Sequence, residues 1–89
     1  MIYFIKGDTE SFNNPKTKKW EEEIISMSWA FPGPLYKVFT WDEYEQTLTL
    51  DELNREDTME LGTLEPATAK NLHYLIKCTF KAVESAEED

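Results

Sequence analysis

Eighty-nine residues bound this chain to one domain with a single modest core. Hydrophobic residues at 40% and aromatic residues at 13% exclude intrinsic disorder, while a net charge of −9 disfavours direct binding to nucleic acid or anionic lipid, where Lys and Arg must meet phosphates. Cys78 is the only cysteine, so the chain builds no intramolecular disulfide and no thiolate cluster, and the simplest compartment is a reducing cytoplasm.

The β-branched and aromatic run from Ile2 to Lys6 predicts a first strand that ends at the turn signal Gly7-Asp8. The five apolar residues from Met1 to Ile5, without a cationic leader, are too few for a signal peptide or a membrane span. Residues 11–19, with Asn13-Asn14-Pro15 and then Lys16, Lys18 and Lys19, predict a loop with a small basic tip. From Trp20 to Phe31, Ile25, Met27, Trp29 and Phe31 alternate with small polar residues, which favours a strand over the helix that Glu21, Glu22 and Glu23 could open.

Pro32-Gly33-Pro34 forces a turn, and Leu35 to Trp41 is β-rich again, so the two runs predict a hairpin. The spacings Thr40-x-x-Glu43 and Thr49-x-x-Glu52 fit helix capping boxes, but Thr47 to Leu50 and Thr58 to Leu61 alternate as strands do. The expectation is two short strands with acidic turns at 42–46 and 51–57. After Pro66, the spacing of Ala69, Leu72, Ile76, Phe80 and Val83 predicts a helix that buries that stripe and turns Lys70, His73, Lys77, Lys81 and Glu84 to solvent. The fold class is therefore α+β, an antiparallel meander of four to five strands against one C-terminal helix, with residues 1–84 as the domain and 85–89 as an acidic tail that frays.

Chemistry is sparse. His73 is the sole histidine and falls on the solvent side of its helix, Cys78 has a packing role beside Tyr74 and Phe80, and no Gly-rich phosphate cradle exists because Gly7, Gly33 and Gly62 are isolated. Residues 51–57 lack the Asp-x-Asp-x-Asp-Gly spacing of a calcium loop, and Arg55 opposes a cation there. No catalytic residue, metal ligand or cofactor is assigned. A small metal-dependent enzyme using the carboxylates is the alternative, as is a regulatory subunit with a merely solubilising acidic face.

The charge is concentrated. Between Trp41 and Glu65 nine carboxylates face one cation, Arg55, whereas the first forty residues balance acids against lysines. Crowded like charges are either a solvated face or a docking surface for a cationic partner. The candidate partner-binding residues are Trp41, Asp42, Glu43, Tyr44, Glu45, Asp51, Glu52, Glu56, Asp57 and Glu60, with Trp41 and Tyr44 as exposed aromatic contacts; Trp20 is a further aromatic expected at the surface.

The expected function is a non-enzymatic, cytoplasmic module that docks on a basic protein surface and inhibits it. In its sharper form, carboxylates spaced i and i+2 on a strand, such as Glu43 and Glu45, imitate nucleic-acid phosphates and occupy the groove of a nucleic-acid-binding protein. Size and charge match the class of small acidic inhibitors that phages direct against host defence, without any shared motif. No membrane contact is expected, and sheet edges could pair in a homodimer.

Overall fold

The computed structural model describes residues 1–87 as a five-stranded antiparallel sheet with one helix. The strands are β1 (Tyr3–Asn14), β2 (Lys19–Phe31), β3 (Tyr36–Asp42), β4 (Thr47–Leu53) and the two-residue β5 (Glu65–Pro66), in the spatial order β4-β3-β2-β1-β5. A 3-10 turn (Asp57–Leu61) lies between β4 and β5, and α1 (Ala69–Glu87) closes the chain. The α+β architecture is thus the expected one.

Strand alternation gives the sheet two unlike faces. Phe4, Trp29 and Phe39 are cross-strand neighbours on the face that carries α1, as are Gly7, Met27, Trp41 and Leu48. With Ile24, Tyr74 and Cys78 they form the core, in which Trp29 and Trp41 are fully buried. Gly7 gives room for a close approach inside this strand, since a Cβ there would collide with Met27 Sδ and stand 2.9 Å from Phe4 Cζ unless those side chains shifted. On the opposite face Ser28, Ala30 and Val38 are buried where residues 54–64 fold back over the sheet.

The first strand does not stop at Gly7-Asp8. It runs on to Asn14 and pairs with β2 beyond the end of β3, forming a two-stranded arm whose tip is residues 15–18. Lys18 closes that tip at φ 59°, its N–H donating to Asn14 O at 2.7 Å. Bulges at Ile5 and Ile25 twist the ribbon. The arm makes the molecule long, 47 × 31 × 19 Å, with a radius of gyration of 14.4 Å. A compact chain of this length would have about 12 Å.

Three further expectations change. Thr58 to Leu61 is a 3-10 turn, because Asp57 and Thr58 donate their N–H groups to Asn54 O and the buried Thr58 hydroxyl donates to Arg55 O at 2.6 Å. β4 continues through Leu53, so Asp51 and Glu52 are strand residues opposite Val38 and Lys37 rather than part of a turn. The helix extends through Glu87, so residues 85–87 of the expected tail are helical; Glu88 and Asp89 lie outside the described residues.

The largest correction concerns the roll of α1. Tyr74 and Cys78 face the core, with Leu75 and Ala82 packed beside them, while Ile76, Phe80 and Val83 are 54%, 66% and 50% exposed. Two indoles already fill the space above the sheet, so the helix meets them with a small thiol and a methyl group. Polar ties hold that roll: Trp29 Nε1 donates to Asn71 O at 3.3 Å, Tyr74 donates its hydroxyl proton to Glu22, and Lys81 reaches Glu43 at 3.0 Å.

Candidate functional site

The acidic residues fall into two groups at opposite ends of the β3–β4 hairpin, with residues 46–50 between them, about 20 Å of extended chain from Glu45 to Asp51. Asp42 ends β3, and Glu43, Tyr44 and Glu45 occupy the connecting turn. Asp51, Glu52, Glu56, Asp57 and Glu60 gather at the far end of β4 and the 3-10 turn.

The turn group is largely engaged in its own architecture. Asp42 Oδ1 accepts the N–H groups of Tyr44 at 2.9 Å and Glu45 at 3.3 Å, which sets the turn, and Gln46 ends it at φ 55°. Glu43 accepts the indole N–H of Trp41 at 2.9 Å, the Gln46 side-chain amide at 2.7 Å, and the Lys81 ammonium at 3.0 Å. Burial opposes its charged form, but the hydrogen bonds from Lys81, Trp41 and Gln46 outweigh that and hold its carboxyl below the usual range. Glu43 is therefore a latch between the hairpin turn and α1.

Trp41 is not a contact residue. It lies opposite Met27 and Leu48 on the helix-bearing face and is fully buried, so its expected exposure is overturned. Tyr44, by contrast, is 92% exposed, and Trp20 stands out from the arm at 73%. The proposed phosphate-like spacing of Glu43 and Glu45 has no strand beneath it, since both lie in the turn. On β4 itself, Asp51 and Glu52 are consecutive and project to opposite faces.

The second group is different. Asp51, Glu52 and Glu60 rim a hollow of about 330 Å³ whose floor includes Ile5, Val38, Leu53 and Leu61, with Lys6 as the one lysine or arginine lining it. Glu56 precedes the 3-10 turn and Asp57 is its first residue; neither lines the hollow. Among the described residues the sole ion pair is Lys81–Glu43, so Asp51, Glu52, Glu56, Asp57 and Glu60 stand exposed without an internal counter-ion. The fold-back after β4 sets Glu60 and Leu61 along the same hollow as Asp51 and Glu52, which sequence separation alone did not disclose.

Other chemistry-bearing groups have structural surroundings. Burial pushes the Cys78 thiol up to about 11, far from a reactive thiolate. His73 is exposed on α1. Glu22 is held below its ordinary range chiefly by the hydrogen bond from Tyr74, then by that from Thr9, and the same contact with Glu22 raises Tyr74. No three His, Cys, Asp or Glu side chains converge as a metal-holding set among the described residues. Nor is any helix among them long and apolar enough to cross a membrane. Comparison with protein-family models, with curated proteins and with solved structures found no match.

Proposed function

We propose that the protein is a non-enzymatic binding module that docks its acidic hollow on a basic protein surface and blocks the partner's site. The carrying observation is the hollow itself: Asp51 from β4 and Glu60 from the 3-10 turn line it together with Ile5, Val38, Leu53 and Leu61, and neither carboxylate is in an ion pair. That combination suits a Lys or Arg side chain, whose alkyl stem covers apolar surface while its charged head meets carboxylates. The acids steer the encounter, and the floor supplies contact area.

The site is Asp51, Glu52, Glu56, Asp57 and Glu60. Asp42, Glu45 and Tyr44, about 20 Å away, contribute long-range steering only. Inhibition follows if the basic surface is the partner's own nucleic-acid or peptide groove, which fits the charge without requiring a row of phosphate-like carboxylates.

The experiment compares proteins captured from a bacterial lysate by the native chain and by a variant carrying Asp51→Asn, Glu52→Gln, Glu56→Gln, Asp57→Asn and Glu60→Gln. A partner retained by the first and lost by the second, with affinity falling as salt rises, supports the proposal. Displacement of that partner by duplex DNA would identify the occluded groove as a nucleic-acid site. Equal capture by both chains refutes the site.

A further inference from the structure

The two edges of the sheet differ in character. At one end β5 covers β1 only at Tyr3 and Phe4, and the rest of that edge carries Lys6, Asp8 and Glu10 with a bulge at Ile5. Charges and bulges are devices that keep an edge from pairing. At the other end β4 runs from Thr47 to Leu53 in unbroken register with β3, without Pro, Lys or bulge. Among the described residues no backbone hydrogen bond joins β4 to any element but β3, so alternate residues direct N–H and C=O groups outward from the sheet. Leu50, on the helix-bearing face of this strand, is 48% exposed.

We infer that β4 pairs antiparallel with β4 of a second copy about a two-fold axis at Thr49. The side chains select both the occupant and the register. Residues directly opposite in an antiparallel pair share one face, so this centring sets Leu48 against the second copy's Leu50, Thr47 against its Asp51 and Thr49 against its own counterpart. Asp51 thereby meets a hydroxyl group, and Glu52 lies beyond the pair, opposite the uncharged Gln46. Sliding one strand by two residues sets Glu45 against Asp51 in one direction and Leu48 against Glu52 in the other. The strand is thus self-complementary in one register, as an isologous interface requires.

The helix-bearing face has a place for Leu50. Leu48 shares a hollow of about 420 Å³ with Ala82, Ser85 and Ala86, so α1 presents only small residues there. The second copy's Leu50, about 5 Å from Leu48 between Cβ atoms, fills it, and the contact occurs twice. The axis stands perpendicular to the sheet and joins the two five-stranded sheets into one, with both helices on one side and both acidic hollows on the other. A basic partner then meets two sites on one surface. The inference itself rests on β4 and stands or falls separately from docking at the hollow.

The overlap covers roughly five residues, about 17 Å of strand, and buries on the order of half the ~800 Å² per partner of a standard interface. Each copy carries a net charge of −9, but repulsion between exposed charges is screened beyond about 8 Å at physiological salt. Association is therefore weak, with a dissociation constant of roughly 10 µM to 1 mM.

Sedimentation velocity of the purified chain at physiological salt, up to about 1 mM, tests it, with circular dichroism to verify each variant's fold. Thr49 is exposed and is the residue that meets its own counterpart across the axis. The native chain dimerises. Thr49→Lys and Thr49→Glu each remove the dimer by setting like charges opposite, and an equimolar mixture of the two variants restores it as a mixed pair. A native chain that stays monomeric overturns the inference, as does a dimer that survives Thr49→Lys, which would lie on another surface. Variants that are monomeric apart and remain so when mixed refute the register centred on Thr49.

Discussion

Replacing Glu43 by Ala removes the acceptor that holds the indole N–H of the fully buried Trp41 at 2.9 Å, together with the partners of Gln46 and Lys81. A hydrogen bond to a charged group contributes about 1.5–3 kcal/mol, whereas the Lys81 pair, with side chains 34% and 21% accessible, is worth under about 1 kcal/mol after screening. Glu43→Ala should therefore cost about 2–3 kcal/mol in urea unfolding, or roughly 8–24 °C in Tm for a domain of this size. Lys81→Met should cost at most about 1 kcal/mol, because it leaves the indole bond intact. Glu43→Gln keeps a neutral acceptor and should fall between them.

The pH dependence carries a fixed sign. Because the folded-state pKa of Glu43 is depressed, its contribution is present above the unfolded value, about 4.3, and is lost as pH falls through the lower folded value. Glu43→Gln should consequently flatten the acid limb of the stability curve relative to the native chain. Glu22 acts with the same sign in both proteins and cancels in the difference. Equal losses from Glu43→Ala and Lys81→Met would refute the reasoning, since the ion pair and not the indole bond would then anchor the turn.

Other outcomes follow from the same geometry. Gly7→Ala should destabilise by about 1–3 kcal/mol through overpacking against Met27 and Phe4, with partial recovery when Met27 is shortened to Ala; a neutral effect would mean the strand shifts freely. Cys78, buried with its thiol raised to about 11, should resist a thiol-reactive probe at pH 8 until urea opens the helix, and rapid labelling of the folded chain would contradict its placement. Trp20→Phe should remove the iodide-accessible part of the tryptophan emission and leave the shielded part from Trp29 and Trp41; unchanged quenching would place Trp20 inside.

Local chemistry was legible in the sequence where it acts locally. The hairpin at Pro32-Gly33-Pro34, the acidic turn after Asp42 and the C-terminal helix all follow from residues a few positions apart. Gly7-Asp8 misled because glycine there serves a close approach by Met27, a long-range requirement that resembles a turn signal. The two-residue β5, which pairs Glu65 and Pro66 with Phe4 and Tyr3, is too short to leave a pattern.

The helix shows most plainly what periodicity cannot decide. Asn71, Tyr74, Cys78, Lys81 and Ser85 recur at the same three- and four-residue spacing as Leu72, Ile76, Phe80 and Val83. Size favours the second set as core, but Trp29 and Trp41 occupy the sheet face, and the ties from Tyr74 and Lys81 fix the first set inward. Trp41 similarly looked exposed beside Asp42 and Glu43; its indole is buried because Glu43 folds back to accept its N–H. For the acidic residues, composition marked the segment, and only the fold-back after β4 separated the hollow from the turn.

Titration of the isotopically labelled protein with a lysine-rich octapeptide, followed by amide NMR, tests the docking surface most directly. Shifts concentrated at Asp51, Glu52, Glu56, Asp57 and Glu60 and on the floor residues Ile5, Val38, Leu53 and Leu61, weakening with added salt and absent in the five-substitution variant, are the predicted result. Shifts spread evenly over the acidic turn, the arm glutamates and α1, or surviving those substitutions, would contradict a built binding site in the hollow.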